Sequence, residues 1–216
     1  MRTFLTLDYY GLALAAALGV AIFLLGMGNG GYYLVVLVIF LLLSSFVTNF
    51  GRRVKRRRGV YESSRTWKNV AANGLMPLIV VALAASGIIG GAGALIAYAA
   101  VVAGITADKF ASEIGTLGPS PVMMLTLKRV RVGTSGGVTL QGLAASFIGA
   151  FIIALTVFNA GGLFAIIVVA ISGWVGGVAD SALGFFEEKG YGNKYTSNFG
   201  CACAAFAVAL LFLILL

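Results

Sequence analysis

Seven apolar runs divide the chain, each near the length of one bilayer crossing. They cover Gly11 to Met27, Tyr32 to Phe50, Val70 to Ser86, Gly87 to Thr106, Val138 to Phe158, Gly162 to Leu183 and Phe199 to Leu216. This pattern predicts an all-α, polytopic transmembrane helix bundle of about seven spans, a single integral membrane domain over residues 1–216. The polar positions between the runs alternate in kind. The connections around Gly28 to Gly31, Ser86 to Gly93 and Asn159 to Gly162 carry no charge. Every lysine, arginine, aspartate and glutamate falls in the N-terminal segment or near the connections after runs two, four and six. By the positive-inside rule those connections are cytoplasmic, which places the N-terminus inside and the C-terminus outside.

Composition narrows the chemistry. A mean hydropathy of +1.03 excludes a soluble domain carried on one anchor. Arg2 and Asp8 precede an apolar run without a clear cleavage site, so the first run is expected to open the bundle and not to be a cleaved signal peptide. Histidine is absent, which removes imidazole acid–base catalysis, Ser-His triads and the usual zinc sites. Cys201 and Cys203 stand two apart in an apolar run, where a helix points them to different faces, so packing is their expected role. Carboxylates, lysine, arginine and hydroxyls remain.

Those groups concentrate in one stretch, Gly104 to Gly142. Ionisable side chains and irregular backbone are tolerated near a bilayer only beside water or inside protein, so a segment this polar marks an aqueous loop, a site, or both. On a helix Asp108 and Ser112 share a face, while Glu113 points roughly 140° from Asp108, which makes Asp108 the better-placed metal ligand. Gly104, Ala111 and Gly115 fall on the Asp108 side as a strip of small residues that admits a close neighbour. Beyond the turn Gly118-Pro119-Ser120-Pro121 come the bases Lys128, Arg129 and Arg131, then Gly133-Thr134-Ser135-Gly136-Gly137. Basic side chains leading into glycine-rich backbone suit phosphate, provided the glycines open the fifth span and turn their amides and helix dipole toward an anion.

The connection from Arg52 to Lys68 holds eight of the fifteen basic residues against the single acid Glu62. Arg52, Arg53, Lys55, Arg56, Arg57 and Arg58 either fix topology and touch anionic headgroups or recruit a polyphosphate. Arg65 and Lys68 stand apart from that cluster, where the third span enters the membrane, near Asn69 and Asn73. Asn73 on an apolar helix needs a partner, either a neighbouring helix or a ligand. A short internal repeat runs through the second half. Ala107-Asp108 matches Ala179-Asp180, each beginning a cytoplasmic connection, and Thr134-Ser135-Gly136 matches Thr196-Ser197-Asn198, each opening an ascending span. The order is the same in both, so the repeat is parallel and predicts that Asp108 and Asp180 converge at one depth to hold one Mg²⁺.

Three segments carry a family resemblance: A-D-K-F-A-S-E-I-G at Ala107 to Gly115, K-R-V-R-V-G-T-S-G-G-V at Lys128 to Val138, and D-S-A-L-G at Asp180 to Gly184. From about Asn73 onward the chain resembles the integral membrane family that includes the phytyl-phosphate kinase of vitamin E synthesis. A looser similarity links it to dolichol kinases and CDP-lipid synthases. Lys109 stands where that family usually has threonine, and Lys194 near an acidic position of its last loop. The resemblance implies a CTP-dependent phosphotransferase that converts a prenyl monophosphate of phytyl or geranylgeranyl type to the diphosphate with Mg²⁺. Asp108, Glu113, Lys128 and Asp180 are then the expected catalytic residues. Asn73, Ser112, Arg129, Arg131, Gly133 to Gly137 and Asn198 are expected to contact nucleotide or phosphate. Lys128, Arg129 and Arg131 would clamp phosphates, and Glu113 would bond the base or ribose or else pair with Lys109 at i, i+4.

Phosphoryl transfer suits a chain without histidine because it asks for metal, positive charge and positioning. The prenyl tail would lie between apolar helices and the active site at the cytoplasmic face of the cell membrane. The alternative of another class is a membrane transporter of a small ion or anionic solute, to which glycine-rich helices, parallel repeats and intramembrane carboxylates are also suited. A carrier must expose its site to both faces, whereas the candidate groups crowd one. A scaffold leaves Asp108, Asp180 and the glycines without purpose. A nucleic-acid partner is excluded by the lack of any recognition fold or aromatic platform beside the basic loop.

Overall fold

A computed structural model of the chain describes residues 6–62 and 64–215. Its helices are α1 (Tyr9–Leu25), α2 (Gly30–Asn49), a short α3 (Arg52–Arg57), α4 (Trp67–Ala85), α5 (Gly91–Gly115), α6 (Leu140–Ala154), α7 (Phe158–Glu188) and α8 (Lys194–Leu215). Five stretches are long and apolar enough to cross a membrane: Met27–Asn49, Trp67–Ala85, Gly91–Gly115, Leu140–Glu188 and Lys194–Leu215. The fourth is two arms, α6 and α7, folded back on each other through a 3₁₀ turn at Leu155–Val157 and a break at Gly161 and Gly162, where Gly162 takes a φ of 59°. With the 17-residue apolar α1, the bundle has the seven helices the hydrophobic pattern predicts.

α5 is the axis. It packs against α2, α4, α6, α7 and α8, and its buried face runs almost unbroken from Ala94 to Glu113. Alanine and glycine make that possible, since without a water-driven force between helices close backbone approach supplies the packing energy. At the crossing with α7 there is no space for side chains. A Cβ on Gly173 would stand 2.9 Å from the Ala103 carbonyl carbon, and one on Gly176 would stand 2.9 Å from the Cys201 carbonyl oxygen and 3.3 Å from the Gly104 Cα. The contact pins the helices one turn before Asp108 and Asp180.

Several boundaries differ from the sequence expectation, among them the start of α8 at Lys194, and two of them move site residues. α5 continues nine residues past Thr106 and α7 five past Leu183, so Asp108 and Asp180 lie inside helices and do not begin loops. Their polar faces turn into the protein, so continuing each helix satisfies the backbone at no cost in exposed charge. The glycine-rich segment also departs. Gly137–Val138 form a strand antiparallel to Val122–Met123, and α6 begins only at Leu140, capped by the Thr139 hydroxyl accepting from the Gly142 amide at 3.0 Å. The second half of the repeat does open a helix: Thr196 and Ser197 sit in the first turn of α8, whose amides at Tyr195 and Thr196 donate to Asn193 Oδ1 at 2.9 and 3.3 Å.

The orientation is open to a direct check. Side chains at Gly28 and Gly31 would meet nothing within 4 Å, so a cysteine at Gly28 should be benign. It should react with an impermeant maleimide only from outside, and a cysteine replacing exposed Lys189 only from the cytoplasm. Labelling of Gly28→Cys from the cytoplasmic side would invert the bundle.

Candidate functional site

Buried ion pairs draw the first connection onto α5. Gly51, at φ 64°, reverses the chain after α2 so that α3 folds back beneath it, and Lys55 becomes fully buried while its basic neighbours stay exposed. Its ammonium donates to the carbonyls of Val47 and Thr48 at 2.8 and 3.1 Å and to Glu113 Oε2 at 2.6 Å. It thereby caps the orphan carbonyls at the C-terminus of α2 and ties that end to α5. Glu113 also accepts from Thr48 Oγ1 at 2.9 Å and from Lys109 one turn back, with Arg65 Nη2 at 3.8 Å. Both oxygens are engaged. Glu113 positions the helices, and of the two readings of this residue the i, i+4 pair with Lys109 is the one observed.

Beside this hub lies a cavity of about 450 Å³ enclosed by the charged ends of α5, α7 and α8 and by the 132–139 segment. Asp108, Ser112, Glu113, Gly133 to Gly137, Asp180 and Asn198 all line it. The repeat converges there. Asp180 faces Asp108 closely enough to interact directly. Ser135 Oγ donates to Glu187 Oε2 at 2.8 Å, and Ser197, its repeat partner, donates to Glu187 Oε1. Glu187 is seven residues beyond Asp180, a spacing that sets both on one helix face and is the sequence signal by which it can be found.

The glycine-rich segment is docked on α7. Gly136 has a φ of 73°, and a Cβ there would come within 2.6 Å of the Phe185 amide nitrogen and 2.8 Å of the Ser181 carbonyl. Ser135 N donates to Glu188 Oε1 at 3.0 Å, and the Thr134 and Gly137 amides bond the Arg131 and Thr134 carbonyls. The segment is therefore a cavity wall held by its own bonds, and it is not the amide cradle at a helix start that the sequence suggests.

Two sets of expected residues lie elsewhere. Lys128, Arg129 and Arg131 are exposed on the hairpin built by Val122–Met123, outside the cavity. The bonds from Met123 N to the Lys128 carbonyl and from Val130 N to the Pro121 carbonyl turn this strip away. Asn73 lines a second, smaller cavity. The cations on the wall of the main cavity are Arg65 and Lys194. Lys194 pairs with Glu62 at 3.0 Å, which clasps the first connection to the start of α8. Partial burial raises the Glu62 carboxyl pKa, but Lys194, with Arg65 and Lys109, outweighs it and holds the group below the usual carboxylate range. A depressed acid stabilises above its unfolded value, so this exposed clasp is present at neutral pH and is lost as pH falls through the folded value. No sequence signal singles out Lys55: in a run with six bases in seven positions nothing marks the one that turns inward.

The donor chemistry of the two aspartates suits a hard cation. Glu113 and Glu62 have basic partners and Glu187 has two hydroxyls, but Asp180 Oδ1, buried, has no partner among the described residues. Two facing carboxylates repel, and a divalent ion removes that penalty. Among the described residues no group of three or more His, Cys, Asp or Glu comes together. Mg²⁺ would thus rest on Asp108, Asp180, water and substrate oxygens, its habit at nucleotide sites.

The model of the family described as integral membrane protein DUF92 matches residues 2–212. An uncharacterized membrane protein of Methanocaldococcus jannaschii is 37% identical over 175 residues, covering 78% of this chain and 71% of its own length. No solved structure matches. This chain belongs to the DUF92 family of integral membrane proteins.

Proposed function

We propose that this protein is a membrane phosphotransferase that moves the γ-phosphoryl group of CTP to a prenyl monophosphate, at the cytoplasmic end of the bundle. The observation that carries the reading is the pair Asp108 and Asp180 on the wall of a polar cavity at one end of an apolar bundle, with a buried Asp180 oxygen that has no partner among the described residues. The motifs around those two residues are the ones that resemble the phytyl-phosphate kinase family, which is the source of the choice of CTP and prenyl phosphate.

The chemistry asks for what is present. A phosphate monoester has a second pKa near 6, so at neutral pH an oxygen of the prenyl phosphate is already an anionic nucleophile and needs no general base. That oxygen attacks the γ-phosphorus, the bond from γ-phosphorus to the β,γ-bridging oxygen breaks, and CDP leaves with the electron pair. Mg²⁺, when held by Asp108 and Asp180, would neutralise charge on the transferred group and orient the chain of phosphates. Arg65, planar and permanently charged, would hold phosphate oxygens as a fork, and Lys194 would contribute a point charge. Ser112 and Asn198 would offer hydrogen bonds to the nucleotide. Glu113 sets the position of Lys109 and Arg65 and does not move protons.

The strip on the hairpin has no part in this. Arg129→Gln and Arg129→Lys should each leave kcat/KM for both substrates within about twofold of wild type, since a lost phosphate contact would cost about tenfold or more. A tenfold loss would return Lys128, Arg129 and Arg131 to the site.

Purified protein in proteoliposomes, given Mg²⁺, CTP and geranylgeranyl monophosphate, should form geranylgeranyl diphosphate detected by mass spectrometry. Uptake of CTP or phosphate into the vesicles without that product would favour the carrier. The carrier reading lacks support in the charge distribution, because every ionisable group of the cavity lies at one end of the bundle.

A further inference from the structure

A second cavity, of about 60 Å³, lies between α1, α2, α4 and α5. Its wall is apolar over Leu18, Ile22, Leu37 and Phe40, and its mouth carries Arg65, Asn69 and Asn73. Arg65 lines this cavity and the main one, so its side chain lies between them. The polar atoms at this mouth want partners. Arg65 Nε, Asn69 Oδ1, Asn73 Oδ1 and Ser44 Oγ are buried with none among the described residues, and Asn69 as a whole is only 4% exposed. A protein fold does not leave this many buried polar atoms unmatched beside an apolar slot unless something else meets them.

We propose that this cavity seats the head-proximal end of a single-chain lipid monophosphate. Its phosphate lies on Arg65 and its first apolar units lie among Leu18, Ile22, Leu37 and Phe40. The inference rests on the reading of the main cavity as a phosphotransfer site, since Arg65 then presents the lipid phosphate to the nucleotide bound beyond it. Rotation of the Asn69 and Asn73 amides about their terminal torsion offers their NH₂ groups to phosphate oxygens. An arginine fork and two amides match a phosphate better than a hydroxyl or a carboxylate does. The slot is too narrow for a whole long prenyl chain, so the remainder lies in the bilayer, and recognition reads the units next to the phosphate.

The test separates lipid binding from turnover. Ala15 lines the cavity from α1, and Ala15→Phe fills it without touching the main site; Leu41→Trp does the same from α2. Farnesyl monophosphate, farnesol and inorganic phosphate are titrated against protein in detergent with Mg²⁺ and without CTP, read by thermal shift. Farnesyl monophosphate should stabilise the wild type, while farnesol and inorganic phosphate should do so at least tenfold more weakly. Either filling variant that retains the wild-type melting temperature should bind farnesyl monophosphate at least tenfold more weakly and bind Mg²⁺-CTP normally. Arg65→Lys should weaken the lipid phosphate and leave farnesol unchanged. Unaltered binding of farnesyl monophosphate in both folded filling variants would overturn the site even if the enzyme turns over. Lipid binding that is lost on filling, with no turnover of CTP in the wild type, would keep the site and reject the phosphotransfer reading. Equal binding of inorganic phosphate and farnesyl monophosphate would reduce it to a phosphate site with no lipid slot.

Discussion

Asp108→Asn and Asp180→Asn should each lower turnover by about a hundredfold or more while leaving the fold as stable as wild type or more so. The combination follows from the environment of the pair. Among the described residues neither carboxylate forms a salt bridge, and Asp180 Oδ1 is buried and unmatched. Without a cation they repel, so a neutral amide in one position relieves strain in the empty protein and offers a donor to the remaining acid. With a cation the same change removes a ligand, since an amide holds Mg²⁺ far less well than a carboxylate. The two states can be told apart by linkage. Mg²⁺ should raise the melting temperature of the wild type by mass action and should not raise that of either variant. A variant that loses turnover but keeps the Mg²⁺-dependent stabilisation would remove that aspartate from the metal site.

Glu113→Gln should be the most destabilising single isosteric change at the charged end of the bundle, at about 3–5 kcal/mol. The wild-type carboxylate is shared by Lys55, which is fully buried, by Lys109, which is 2% exposed, and by the Thr48 hydroxyl. An amide leaves two buried ammonium groups facing one another without a counter-charge. The partners are not equivalent. Lys109→Thr, which installs the residue the resembling family usually carries, should cost much less, because Glu113 keeps Lys55 and Thr48. Lys55→Met should fall between, at about 1–3 kcal/mol, since it strips the donor from the Val47 and Thr48 carbonyls. Unfolding in mixed micelles gives the order. Equal effects of Glu113→Gln and Lys109→Thr would show that the hub is not what joins the first connection to α5.

What was legible in the sequence is what one-dimensional hydrophobicity encodes. The apolar runs gave the seven helices, and the hairpin between α6 and α7 was read at the same glycines that break the helix. The repeat gave the convergence of Asp108 and Asp180, because two like segments packed in parallel bring like positions together. The ends of α5 and α7 run past the expected positions for one physical reason: a charged residue suggests that the chain leaves the membrane, whereas here charge turns inward to meet other charge. The same blindness hid Lys55 and promoted Lys128, Arg129 and Arg131. Burial of a base is decided by its partners across the bundle, and Glu113 lies 58 residues from Lys55 in sequence. The sequence suggests that Gly133 to Gly137 open a helix with amides turned to an anion, whereas α6 begins only at Leu140 and Gly136 makes room for α7.

The central claim is transfer of a phosphoryl group across the cavity beside Asp108 and Asp180, and position-specific labelling tests it most directly. Parallel reactions of the reconstituted protein with Mg²⁺ and geranylgeranyl monophosphate would contain CTP labelled with ³²P at the γ or the α position. The account predicts that γ-label enters the lipid diphosphate and α-label stays in CDP, with both products absent for Asp180→Asn. Appearance of α-label in the lipid would mean cytidylyl transfer, and absence of both labels from the lipid in an active, folded preparation would contradict the phosphotransferase outright.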